Sequence, residues 1–182
     1  MRRVRAGGGL LAAAALLAAP ATDAMATTGT GGMSASSLPS ALMQPPRGAA
    51  VLSPTGRAWA PRPAPRAVRR VIAAGNRIVA LPYRYGGGHA SFDDTAYDCS
   101  GAVSYALHGG GLLAAPLDSV AFASWGVPGR GRWITVYTNP SHAFLVVAGL
   151  RLDTSGTGGN GPRWQTARRS AMAFAARHPA GL

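Results

Sequence analysis

The order of apolar patterns along the chain predicts an α+β fold, with helices first and an antiparallel sheet after them. Three observations carry that expectation. "AVRRVIAAGNRIVALPY" has apolar residues at helical spacing, "CSGAVSYALH" reads as a second, shorter helix, and everything from "RWITVYT" onward alternates β-branched or aromatic runs with turn residues.

The elements follow in order. In the first helix Val68, Val71, Ile72 and Val79 share one face, Arg69, Arg70 and Arg77 lie elsewhere, and Pro82 stops the pattern, giving about three turns. A loop follows through "YRYGGGHASFDDTAYD", whose consecutive glycines permit backbone geometries closed to other residues. The second helix runs from about Ser100 to His108, with Val103, Ala106 and Leu107 on one side and Gly109 to Gly111 as its terminator. "RWITVYT" and "HAFLVVA" are strands joined by the turn "NPS", Ala148-Gly149 is a tight turn, and "LRLDTS" returns. "GTGGNGPRW" reads as a long glycine loop.

The folded unit is expected over 67–182, as one domain. Ahead of it, 27–66 is Ala/Ser/Thr/Gly and then Pro/Arg, with "MQPPRGAA" and "WAPRPAPRA" too proline-rich for a helix or a central strand. That composition predicts a disordered or polyproline-like tether. Residues 1–26 read as a signal peptide: "MRRVR" is a positive start, "AGGGLLAAAALLAAP" an apolar run too short to span a bilayer, and Ala24-Met25-Ala26 a small-x-small cleavage pattern. The expectation is a secreted, cell-wall-associated protein with no stable membrane insertion after signal removal. An uncleaved anchor is the competing reading of the same segment.

Every one of the 18 basic residues is arginine and all 6 acidic ones are aspartate, for a net charge of +12. Such a charge invites a nucleic-acid partner. Its distribution argues against one: Arg2, Arg3 and Arg5 belong to the extreme N-terminus, and Arg47, Arg57, Arg62 and Arg66 alternate with proline and alanine, where no rigid basic face forms. Attraction to an anionic polymer such as a cell wall fits better.

Cys99 is the single cysteine. In an exported protein a leftover thiol points to an intermolecular bond or a reactive group. Asp98 suits a helix N-cap, so Cys99 falls in the first turn, where free N–H groups and the helix dipole favour a thiolate. A lone cysteine can also be a small buried hydrophobe, a reading that polar Asp98 and Ser100 weaken. A base within reach decides between them. His142 opens a strand at the sheet's rim, and a turn centred on Ala148-Gly149 sets Asp153 diagonal to it on the same face; moving that turn back by one pairs the two directly. Either register joins an imidazole to a carboxylate, the base and orienter of a nucleophilic set, with Ser155 as another candidate for the third position. His89, His108 and His178 are expected to be structural or incidental. One cysteine with four scattered histidines matches no common zinc spacing.

"LPYRYGGG", then "YDCSGAVSYAL", then a strand-borne His142 and a polar residue about a dozen positions on resemble the NlpC-type family of papain-like cell-wall cysteine peptidases, over Val68 to about Ser155. The resemblance implies a papain-like fold, the cysteine helix packed on an antiparallel sheet. It implies hydrolysis of peptidoglycan stem peptides, commonly between the side-chain carboxyl of D-glutamate and diaminopimelate, with no metal or organic cofactor. By position, Cys99 matches the nucleophile, His142 the base, Asp153 the third polar residue and Tyr83 a tyrosine near the nucleophile. Asp98 and Ser100 match positions that in some members bind the free amine of the first stem alanine. The segment between Tyr83 and Cys99 is longer than the family's, and its usual Pro-Gly-Asp before the strand is missing. An amidase cutting between sugar and stem peptide, and a non-catalytic wall-binding domain of the same fold, are the alternatives.

Overall fold

The computed structural model describes residues 48–156, 159–166 and 169–182. The expected signal peptide, and the expected tether over 27–47, lie outside the described residues.

From Gly48 on, the tether expectation fails. β1 (Val51–Leu52) and β2 (Ala58–Trp59) form a small antiparallel hairpin, and Ala50, Ala58 and Ala64 are buried in the core. The proline content correctly excludes a helix over 48–65, although α1 begins at Arg66, and alanines between those prolines are small enough to settle against α1. Asn76 clamps the hairpin, its Oδ1 accepting the Ala58 N–H and its Nδ2 donating to the Ala58 carbonyl, both at 2.8 Å.

α1 (Arg66–Ile78) buries Val68, Val71, Ile72, Ala74 and Ile78 and leaves its arginines on the outer side. α2 (Cys99–Gly109) is buried on most of its circumference, as expected of a short helix held between α1 and a sheet. A 3-10 turn over Ala121–Ser124 buries Phe122. Then come β3 (Val127–Pro128), β4 (Ile134–Asn139), β5 (His142–Val147), β6 (Leu150–Asp153), β7 (Arg163–Thr166) and β8 (Ala175–His178). They form one antiparallel sheet in the order β3-β8-β4-β5-β6-β7.

Alternation divides the sheet's faces. Val136, Ala143, Leu145, Val147, Leu150 and Leu152 join the helices in one core with Val103, Ala106 and Leu107. Tyr137, Phe144, Val146 and Arg151 point the other way, since Tyr137 pairs with Phe144 and Val146 with Arg151. The chain is thus α+β, with the cysteine-bearing helix packed on an antiparallel sheet.

Two expectations about the sheet need amendment. The glycine loop ends before Arg163, where β7 begins, and β3 and β8 extend the sheet beyond β4. β8, "AARH", has no β-branched or aromatic residue; pairing with β4 decides its conformation over propensity.

Candidate active site

Asp98 caps α2 as its type predicts, Oδ1 accepting the Gly101 N–H at 2.8 Å. The same carboxylate accepts the Gly86 N–H at 3.0 Å and meets His89 Nε2 at 3.0 Å and Ser100 Oγ at 3.3 Å. It therefore ties the glycine loop to the helix start, and its lone pairs are largely occupied. Gly101 permits that closeness: a Cβ there would stand 2.0 Å from the Gly87 carbonyl oxygen. The segment between Tyr83 and Cys99 is held by Asp94, which pairs with Arg84 at 2.6 Å and accepts the Gly88 N–H.

Cys99 is consequently the first residue of α2, half-buried, facing a groove. The groove, about 590 Å³, is also lined by Tyr83, Tyr85, His89, Asp98 and Ser100, and by Asp118, Ser119, Pro140 and Ser141. Tyr83 is 41% exposed. Burial first, then the negative charge of Cys99 and Asp98, pushes its hydroxyl pKa up, so the group stays a donor.

His142 comes to this groove through two turns. Asn139 Oδ1 accepts the N–H groups of Ser141 and His142, at 3.0 and 2.9 Å, which fixes the β4–β5 corner and places the imidazole at the rim. Beyond β5, Ala148 and Gly149 form the two-residue turn with positive φ at both positions, 46° and 87°. The pairs Val147–Leu150 and Leu145–Leu152 select the first of the two registers: continued by one step it opposes Phe144 to Asp153 and leaves His142 on the diagonal. Across it, His142 Nε2 lies 2.9 Å from Asp153 Oδ1. Ser155 Oγ is 3.3 Å from the same nitrogen, so the carboxylate is the nearer partner and the hydroxyl an accessory.

The electrostatics bind the three groups into one unit. Burial pushes the Cys99 thiol up, but hydrogen bonding to the His142 ring and the Ala143 N–H, with the imidazolium charge, outweighs it and the thiol titrates below its ordinary value. Burial alone would lower His142; hydrogen bonds to Asp153 and to Cys99, and their charges, instead push it up to about 9. Asp153, whose side chain has no exposed surface, is raised by burial but held low overall by His142 and by the Ser155 N–H and hydroxyl. With Nε2 given to Asp153, Nδ1 is the nitrogen left for sulfur. The arrangement favours a thiolate beside an imidazolium, a nucleophile ready to attack a carbonyl.

Neither a family model nor a curated protein matches the chain. Solved structures do. It is similar to the peptidoglycan hydrolase RipB from Mycobacterium tuberculosis, at 25% identity and a TM-score of 0.47, over 69% of this chain and 71% of that one. The resemblance is to NlpC/p60 domain proteins. A P60 domain of an antigen from M. avium subspecies paratuberculosis matches at 25% identity and a TM-score of 0.49, over 61% of this chain and 93% of that one. RipD from M. tuberculosis, described as a non-catalytic NlpC/p60 domain protein adapted to peptidoglycan binding, matches at 20% identity and a TM-score of 0.48, over 63% and 98%.

All six residues singled out in the sequence meet here: Cys99, His142 and Asp153 as one hydrogen-bonded set, and Tyr83, Asp98 and Ser100 on the groove wall. Sequence reasoning missed His89, expected to be incidental but set against Asp98 and Ser100 at 3.0 and 3.2 Å, and it missed Asp118, which also lines the groove. It also missed Arg151 and Arg169, which lie 3.3 and 3.2 Å from Asp153 Oδ2. Arg151 alternates with Asp153 along β6, a usable signal; loop-borne His89 and Asp118 offer no period to read.

Proposed function

We propose that the chain is an NlpC/p60-type cysteine endopeptidase that hydrolyses peptidoglycan stem peptides outside the cytoplasm, at the bond between the D-glutamate side-chain carboxyl and diaminopimelate. The observation that carries the reaction type is the Cys99–His142–Asp153 set, whose cysteine lines the groove. The substrate class rests on the "DCSG" motif with its upstream Pro82-Tyr83 and downstream histidine.

Each group has one task. His142 Nδ1 takes the Cys99 proton, and Sγ attacks the stem-peptide carbonyl. Asp98 takes up the Gly101 N–H, which leaves those of Cys99 and Ser100 at the helix start to hold the oxyanion, with the Tyr83 hydroxyl assisting. His142 returns its proton to the leaving amine, and water, activated by the same ring, releases the acyl-enzyme. Asp153 keeps the ring's tautomer and steadies its charge. Asp98 and Ser100 line the groove for the substrate's amine, with His89 between them. An export signal over 1–26 brings the enzyme to the wall, where the arginine-rich segment keeps it near an anionic polymer.

Purified sacculi digested with wild type and Cys99→Ala, followed by mass spectrometry of the fragments, test this. Stems split at the proposed bond by wild type alone are the expected result. Free lactyl-linked sugar ends with intact stems would make the protein an amidase instead; no cleavage, with wall binding equal in both proteins, would make it a binding domain.

A further inference from the structure

The outer face of the sheet carries a second concavity, separate from the groove at Cys99. It encloses about 200 Å³ between Arg130, Tyr137, Phe144, Val146, Arg151 and Arg169. Its floor is apolar and stacked, Tyr137 lying on Phe144 with ring centroids 4.9 Å apart. Its walls are cationic, from three separate segments: Arg130 ahead of β4, Arg151 on β6 and Arg169 ahead of β8. Arg151 and Arg169 both stand over the Phe144 ring, at 5.9 and 5.8 Å, which holds two guanidinium planes in place without neutralising them.

The charge does not balance. Among the described residues Asp153 is the carboxylate in contact with this group, and its Oδ1 already serves His142, leaving Oδ2 to be shared by Arg151 and Arg169. Arg151 is 6% exposed, gives its Nη2 to Gln165, and its buried Nε, though 3.3 Å from Asp153, makes no hydrogen bond. One carboxylate oxygen shared between two guanidinium groups leaves more donors than acceptors, a surplus that an added anion would take up. Burial and the Arg169 and Arg163 charges press the Arg151 pKa down while Asp153 supports it, consistent with a surplus of positive charge there.

We propose that this cavity binds a small phosphate-class oxyanion, held by Arg130, Arg151 and Arg169 over the Tyr137–Phe144 floor. Arginines from three segments line the cavity and together offer more donors than the two oxygens of a carboxylate accept, and a tetrahedral oxyanion uses them better. The source is either free phosphate or the phosphodiester of an anionic polymer. Nothing in this inference depends on the hydrolase reading, because the cavity does not include Cys99.

Calorimetric titration of the full chain with inorganic phosphate and, separately, with dimethyl phosphate, at ionic strength held constant with chloride, tests it. Saturable binding is expected for at least one of them; the preferred probe tells free phosphate from a diester. Arg130 is exposed and outside the Asp153 contacts, so Arg130→Ala should fold and bind about tenfold more weakly, as loss of one charge-assisted contact implies. Arg130→Glu should abolish binding, and Cys99→Ala should bind as wild type does. Saturation by neither probe, undiminished binding in Arg130→Glu, or loss of binding in Cys99→Ala, which would assign the anion to the groove, each overturns the proposal.

Discussion

Cys99 and His142 lie 43 positions apart (142 − 99), yet the residue types alone nominate them, because a thiol after an N-cap aspartate and a histidine at a strand start each carry local chemistry. Asp153 was legible for a different reason, the period of two across a tight turn. The groove's remaining side chains were not, since His89 and Asp118 sit in loops whose course depends on tertiary contacts. At this scale Asp153→Asn should lower turnover by two or more orders of magnitude, as the imidazole loses its orienting charge. It should also change stability in a pH-dependent way. His142 is raised from 6.5 to about 9 in the folded state, so the stabilisation it draws from Asp153 and Cys99 together is full below pH 6.5 and fades as pH rises through about 9. On the order of 3 kcal/mol is at stake. Urea unfolding of both proteins at pH 6 and pH 9.5 should show the difference in stability shrinking at the higher pH; a difference independent of pH would contradict the coupling. Tyr83→Phe should reduce turnover roughly tenfold or more while leaving substrate affinity nearly unchanged, if its hydroxyl serves the oxyanion.

At the scale of elements, the two helices and β4, β5 and β6 follow the sequence pattern closely, since each has either a continuous apolar face or an unambiguous turn beside it. The β1–β2 hairpin, β3 and β8 did not announce themselves. Two-residue strands carry no period, and proline between them reads as linker until the alanines it spaces are seen in the core. The contact between the glycine loop and the start of α2 is the element junction on which the groove depends. Gly101→Ala would drive a methyl into the Gly87 carbonyl. The expected cost is about 1–3 kcal/mol, with catalysis falling further than stability implies because the Asp98–His89 wall shifts. Thermal unfolding together with sacculus digestion checks both; an unaffected variant would mean that the loop is free to retreat.

For the whole molecule, the sheet fixes one end of the site and α2 the other, and their packing holds sulfur and imidazole together. The hairpin supports this from behind α1. Asn76→Ala removes both hydrogen bonds to Ala58 and should destabilise the fold by about 2 kcal/mol, with early proteolytic cleavage between Val51 and Trp59. Equal stability and resistance in the variant would show the hairpin to be dispensable. The central claim, however, concerns a charge: the fold keeps the Cys99 thiol ionised against an imidazolium. The rate of alkylation by iodoacetamide against pH, for wild type and His142→Ala, measures it directly. Wild type should react with a midpoint below the ordinary free-thiol value of about 8.5, and His142→Ala should move that midpoint back to the free-thiol value or above. Superimposable profiles for the two proteins, both centred at the ordinary value, would contradict the account.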